Sequence, residues 1–301
     1  MNTLKHTWPA SQKPERVVIL GAAGFIGKAL VRLLEKEHFN ILALGRPELD
    51  LLAKDAARKL STLLRPTDAL VFLSTLTPDR GRGIDAFVKN IQMAETVCYA
   101  IANTPLSHVV YLSADTVYPL HRGLISEESP TDPENLHGAM HLAREYMVKA
   151  TTTAPVALLR STLIYGLEDT HNSYGPNRMR RMALKEGKIS LFGNGEEYRD
   201  HIFIDDLITL IVLTLLHRSV GILNLVTGQS ITYLELAKKI AALFNQQVEV
   251  LYTERSNPIT HRHFDASAIY KTFPSFCFTP IDNNLKTIHE EELRSSVCSY
   301  R

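Results

Sequence analysis

Arg16-Val-Val-Ile-Leu-Gly-Ala-Ala-Gly-Phe-Ile-Gly27 decides the fold. Its first five residues form a short β-branched run, which reads as a buried parallel strand. Gly21, Gly24 and Gly27 follow as GxxGxxG, and a helical pattern continues through Lys36. A strand, a tight glycine turn and a helix N-terminus together allow backbone N–H groups to close on a pyrophosphate. Cofactor contacts are therefore expected at Gly21, Gly24, Phe25, Ile26 and Gly27, and at the end of the third strand, Leu73 and Ser74.

Working outward, strands are expected at Asn40–Leu44, Ala69–Leu73, His108–Leu112 and Val156–Arg160. Helices are expected at Asp50–Leu64, Ile84–Ala102 and Asn135–Ala150. This βαβ rhythm predicts an α/β protein built on a Rossmann-type, doubly wound parallel sheet. After Gly166 the rhythm breaks. Asp205–His217 reads as an apolar helix, Gly221–Val226 as a strand, and Thr232–Phe244 as a helix with a capping box at Thr232 and Glu235. The expected division is 16–166 plus 200–228 as the cofactor domain, and 167–199 plus 229–301 as a small C-terminal α+β substrate lobe. Residues 1–15 read as a flexible lead-in.

The chain has 301 residues, 45% apolar and 22% charged, enough to bury a large core. A net charge of +1 gives no reason to expect nucleic acid or an anionic membrane as partner. Three scattered cysteines without a CxxC pair exclude a disulfide framework or a cysteine zinc site. The N-terminus lacks an apolar signal run, and Leu207–Leu216 is too short to cross a bilayer, which needs about twenty residues. A cytoplasmic protein is expected.

Dinucleotide sites for NAD commonly place an acid at the end of the second strand. Gly45 and Arg46 stand there instead. A guanidinium with no adjacent carboxylate would suit a 2′-phosphate, so NADP is expected over NAD. Asp50 and Leu51 lie just beyond, where an adenine edge would be read.

The GxxGxxG spacing is the form seen in extended short-chain dehydrogenases/reductases, the NAD(P)-dependent nucleotide-sugar epimerases, dehydratases and reductases. Other segments resemble that family too. Gly45-Arg-Pro-Glu-Leu-Asp-Leu51 looks like the strand exit of GDP-fucose synthase and dTDP-4-dehydrorhamnose reductase. Asn90 sits where the family has an asparagine. Leu112-Ser-Ala-Asp-Thr-Val-Tyr118 resembles SS(A/D)xVY, and Arg160-Ser-Thr-Leu-Ile-Tyr-Gly166 resembles RxxNVYGP. Leu191-Phe-Gly-Asn-Gly-Glu-Glu-Tyr-Arg-Asp200 with Ile204-Asp-Asp206 resembles FGdGxxxRDfvyVdD. The resemblance implies that Arg199 binds a sugar-nucleotide diphosphate, helped by Arg255 or Arg262. It also implies a homodimer through helices 84–102 and 135–150. Asp205 and Asp206 are read as helix-capping residues.

The family's YxxxK is absent. Aligning Glu145 with the family's glutamate puts tyrosine at His137 and lysine at His141, in His137-Gly-Ala-Met-His141. The catalytic Ser/Thr position falls on Ala114, with Ser113 and Thr116 beside it, and the substrate asparagine falls on Leu163. Three readings stay open. His137 carries the proton, with His141 as a second proton site or ribose ligand and Ser113 or Thr116 as hydrogen-bond donor. Alternatively, the protein binds nucleotides without turning them over. In the third, His137, His141 and Glu145, at i, i+4 and i+8, hold a metal. His171, His201, His261 and His263 are read as surface or lobe contacts.

Overall fold

The computed structural model describes residues 3–79, 81, 83–120, 123–169, 175–244 and 247–298. The strands are β1 (Arg16–Leu20), β2 (Ile41–Leu44), β3 (Asp68–Phe72), β4 (His108–Ala114), β5 (Leu124–Ile125), β6 (Val156–Ser161) and β7 (Leu163–Tyr165). They continue with β8 (Lys188–Phe192), β9 (Tyr198–Arg199), β10 (His201–Phe203), β11 (Gly221–Leu225), β12 (Ile231–Thr232), β13 (Glu249–Thr253) and β14 (His263–Phe264). The helices are α1 (Phe25–Lys36), α2 (Ala56–Leu63), α3 (Ile84–Ala102), α4 (Leu136–Thr151), α5 (Gly175–Glu186), α6 (Ile204–Leu216), α7 (Tyr233–Ala241), α8 (Ser267–Thr272) and α9 (Ile281–Cys298).

Six strands form one parallel sheet in the order β11-β6-β4-β3-β1-β2. The chain runs from β1 outward to β2, then back past β1 to β3. The strand order therefore reverses beside β1, and a crevice opens at the carboxyl ends of β1 and β3. Period-2 alternation buries both faces. Val17, Ile19 and Val71 join α1 and α6 on one side, and Val18, Leu20, Leu70 and Phe72 join α3 on the other. The buried ion pair of Arg16 with Asp68, at 2.7 Å, ties the starts of β1 and β3.

Met179 and Ala183 of α5, Ile189 and Leu191 of β8, Leu236 of α7 and Leu285 of α9 form a separate core. Thr232 caps α7 in the expected box: its hydroxyl accepts from the Glu235 amide, and the Glu235 carboxylate accepts from the Thr232 amide. Among the described residues no helix is long and apolar enough to cross a membrane.

Four expectations differ from the structure. The lead-in is not loose: Leu4 is buried, and its amide donates to the Ile222 carbonyl at 2.8 Å, so residues 3–5 run along the start of β11. α2 starts only at Ala56, because Asp50 Oδ1 accepts from the Leu52 amide and holds a turn there. α5 was not expected, since its stretch has few apolar residues. Ala268, Ile269 and Phe273 pack into the sheet-side core with α6, away from the α7 core.

Candidate active site

A cavity of about 310 Å³ lies at the strand-order reversal. Gly21, Gly24, Phe25, Ile26, Gly27 and Leu73, the expected cofactor contacts, line it. Gly21 adopts φ +93°, a left-handed conformation that glycine tolerates best. A Cβ on Gly27 would lie 2.2 Å from the Gly21 carbonyl oxygen, so only glycine lets α1 sit this close to the turn. Gly24 caps α1 without a side chain, and no acid stands in the first turn. The open N–H groups of Phe25, Ile26 and Gly27 and the positive end of the helix dipole fit a pyrophosphate. Ser74 lies beside Gly21, where its amide nitrogen would be 2.9 Å from a Cβ at that glycine. Asn90 holds the chain beyond β3 by accepting from the Leu76 amide and donating to its carbonyl.

The β2 exit is not as expected. The Arg46 side chain is 78% exposed and pairs with Asp50 at 3.3 Å. Glu48 folds back so that its Oε2 accepts from the Gly45 amide at 2.9 Å. A Cβ on Gly45 would meet that oxygen at 2.9 Å and the Ala23 Cβ of the glycine turn at 2.8 Å. The Glu48 carboxylate thus occupies the space of the missing acid, which overturns the premise that no carboxylate stands there. Leu51 is buried, and its carbonyl accepts from Thr96.

His137, His141, Ser113 and Thr116 all line the cavity. Asn135 caps α4 by accepting from the Gly138 amide at 2.9 Å. A Cβ on Gly138 would fall 2.1 Å from the Thr116 carbonyl oxygen. The glycine therefore lets the first turn of α4 rest on the Thr116 backbone. The His137 and His141 rings meet edge to face with centroids 4.7 Å apart. Thr116 Oγ1 is buried without a hydrogen-bond partner among the described residues. Ser113 differs, since its hydroxyl donates to Glu145 Oε1 at 2.6 Å. Glu145 also accepts from Arg160 Nε and Nη2 at 2.9 and 2.7 Å. Arg160 donates in turn to Tyr118, which donates to Asn224. With Glu145 engaged in this buried network, His137, His141 and Glu145 do not converge as a metal set. Among the described residues no group of three His, Cys, Asp or Glu does.

Sequence reasoning missed several groups. Thr75 and Asp115 line the cavity. Asp115 is buried, which pushes its pKa up, while Arg262 and then Arg199 oppose the shift. Tyr111 places its hydroxyl 2.8 Å from His141 Nδ1. Arg144 is fully buried over the Phe72 ring, 4.3 Å from its centroid, and donates to the Ser74 carbonyl and Thr75 Oγ1 at 2.7 and 2.9 Å. No carboxylate among the described residues pairs with it. Arg144 was legible only as a charge on a helix, beside Glu145, which aligned with the family's glutamate.

The three expected diphosphate ligands do not line this cavity. Arg199 donates to the Thr260 carbonyl and hydroxyl at 2.6 Å each, and lies 3.5 Å from Glu197. Arg255 meets Glu196 at 3.0 Å and Glu197 at 3.3 Å. Arg262 is buried against Asp115, its Nη2 donating to the Asp115 carbonyl at 2.6 Å. The structure brings Arg199 and Arg255 together around Glu197 and engages Arg262 elsewhere. Asp200 does not pair with Arg199; it accepts from Thr227 and Gly228. Asp206 accepts from Thr279, and Phe203 takes the cap position of α6. His261 and His263 flank the Tyr198 ring, while His201 is buried, contrary to a surface role. His171 lies outside the described residues.

Residues 17–225 match the NAD dependent epimerase/dehydratase family, and the chain belongs to it. The N-acetyl-alpha-D-glucosaminyl-diphospho-ditrans,octacis-undecaprenol 4-epimerase of Escherichia coli O157:H7 is 24% identical over 255 residues, covering 79% of this chain and 75% of its own. Among solved structures, MoeE5 in complex with UDP-glucose and NAD superposes with a TM-score of 0.81 at 22% identity, over 93% of this chain and 99% of its own. The GDP-L-fucose synthetase of Naegleria fowleri bound to NADP gives 0.82 at 14% identity, over 98% of each chain. These likenesses establish the fold.

Proposed function

We propose that the protein is an NAD-dependent epimerase, dehydratase or reductase of a nucleotide-activated sugar, with His137 in the role of proton carrier. The observation that carries the reading is the meeting of the glycine turn, His137 and Thr116 in one cavity. When bound, the nicotinamide supplies hydride acceptance and return at a sugar carbon. His137 takes the proton of the sugar hydroxyl as that carbon is oxidised and gives it back on reduction. Thr116 Oγ1 hydrogen-bonds the same oxygen; Ser113, engaged by Glu145, holds the helix that carries His137. Glu48 supports NAD over NADP, as does Asp50 beside Arg46.

Residues 16–166 with 200–228 serve as the cofactor half, joined by α8, which packs on the sheet side, and the rest of 167–199 with 229–301 as the substrate half. Arg199 and Arg255 are the candidate diphosphate ligands, with Glu197 yielding its place between them. A homodimer would cover the exposed apolar side chains Ile84, Val88 and Tyr99 of α3 and Tyr146 of α4. One observation favours a binding protein without turnover: the Ser113 hydroxyl is already engaged.

The test is turnover of a panel of UDP-, GDP-, dTDP- and CDP-sugars by the wild type and by His137→Ala. The variant is expected to lose about 10²–10⁴-fold in kcat with cofactor affinity unchanged. Wild-type turnover in His137→Ala overturns the assignment of the proton carrier. Binding without turnover of any sugar supports the binding protein.

A further inference from the structure

The protein uses one ring nitrogen of His141 internally. Nδ1 lies 2.8 Å from the Tyr111 hydroxyl. Nε2 has no hydrogen-bond partner among the described residues, and the ring lines the cavity. The surroundings decide which nitrogen carries the proton. Tyr111 is fully buried, and His141 Nδ1 is the only partner of its hydroxyl among the described residues. A phenol donates more readily than it accepts, and a buried O–H that fails to donate loses its bond.

Burial raises the Tyr111 pKa, with Arg144 opposing and Glu145 adding, so the proton stays on oxygen. His141 is driven well below its usual value by burial, then by the charges of His137 and Arg144, so the imidazole stays neutral. The groups around it are Tyr111 from β4, and His137 and Arg144 from α4. Glu145 is taken up by Arg160 and Ser113.

We infer that Tyr111 is a positioning residue that locks His141 in the Nε2–H tautomer, so that His141 acts as a neutral donor to a hydroxyl oxygen of the bound dinucleotide's ribose. The inference rests on the reading of this cavity as the cofactor site. It changes the role expected of His141: a lysine at this position would bring a cation, whereas His141 brings only an N–H. The buried positive charge of this helix is Arg144, which donates to Thr75 of the cavity lining.

The experiment combines ¹⁵N NMR of histidine-labelled protein, with His141→Gln to assign the signals, and NAD titration. In the wild type, His141 should show bare Nδ1 and protonated Nε2, unchanged from about pH 6 to 8. Tyr111→Phe should mix the tautomers and weaken NAD binding about 3- to 10-fold. His141→Gln, whose amide N–H can replace Nε2–H, should bind NAD within about threefold of wild type, and His141→Ala about tenfold more weakly. A protonated Nδ1, or a His141 that titrates near neutrality, overturns the inference. So does a folded Tyr111→Phe with unchanged tautomer and affinity. If Tyr111→Phe does not fold, the wild-type spectrum and the contrast of His141→Gln with His141→Ala still decide. If His141→Ala binds NAD like the wild type, the ribose contact fails, and the spectrum separately decides the tautomer.

Discussion

At the end of β2 the Gly45 amide donates to Glu48, while Arg46 turns outward to Asp50. A 2′-phosphate placed here would bring its negative charge against the Glu48 carboxylate, and Arg46 would have to leave Asp50 to compensate. A ribose hydroxyl could donate to Glu48 with no such conflict. NAD(H) is therefore expected to bind at least about tenfold more tightly than NADP(H), the worth of one charge-assisted hydrogen bond. Glu48→Gln should narrow that ratio. Calorimetric titration of both cofactors checks it, and equal affinities or a preference for NADP(H) in the wild type overturn it. The linear sequence pointed to Arg46 because Glu48 stands four residues past the strand end. Only the turn at 46–48 shows that the carboxylate returns to fill the space above Gly45.

α4 brings His137 to the site, and its placement depends on Gly138. With a Cβ there only 2.1 Å from the Thr116 carbonyl oxygen, Gly138→Ala must push the first turn of α4 away. His137 and Thr116 would then separate, and a misplacement of about 1 Å can cost about 10²-fold in rate. Gly138→Ala is expected to lower kcat about 10- to 100-fold and stability by about 1–3 kcal/mol, with NAD affinity nearly kept. Steady-state kinetics with thermal melting checks this, and a wild-type kcat in the variant refutes it. α4 itself was legible, expected at Asn135–Ala150 and found at Leu136–Thr151. So were the bounds of α3 and the capping box of α7. The contact of Gly138 with Thr116 was not, because it joins residues twenty-two apart through a backbone atom that no side-chain pattern marks. The lead-in was misread for a related reason: one buried leucine, Leu4, in a polar stretch gives no periodicity.

The stability of the whole fold combines opposed titrations. His108 is driven down to about 4, mainly by burial, with Arg218 adding and its bond to Ser219 opposing. His201 is driven down to about 3 by burial and then by the Arg199 charge, with the Arg199 backbone opposing. Both bind fewer protons folded than unfolded, so their contribution is present above about pH 6.5 and is lost as pH falls toward the folded values. Asp200 is pushed up to about 6, chiefly by burial, with the Thr227 and Gly228 bonds opposing. Its contribution has the other sign and is lost as pH rises between about 4 and 6. These effects overlap, so the wild-type pH profile blends them, and a variant isolates one. His201 suits the purpose, because neither buried ring nitrogen makes a hydrogen bond of good geometry among the described residues and the resembled pattern has phenylalanine there. His201→Phe removes two unsatisfied polar atoms and should stabilise the protein by about 1–2 kcal/mol near neutrality. At pH 5 the advantage should grow by roughly 2 kcal/mol, since only the wild type gains a proton at this site on unfolding. Urea unfolding of both proteins at about pH 7.5 and 5 measures the two gaps. A gap that stays constant or shrinks on acidification would mean that His201 is not held neutral in the folded protein.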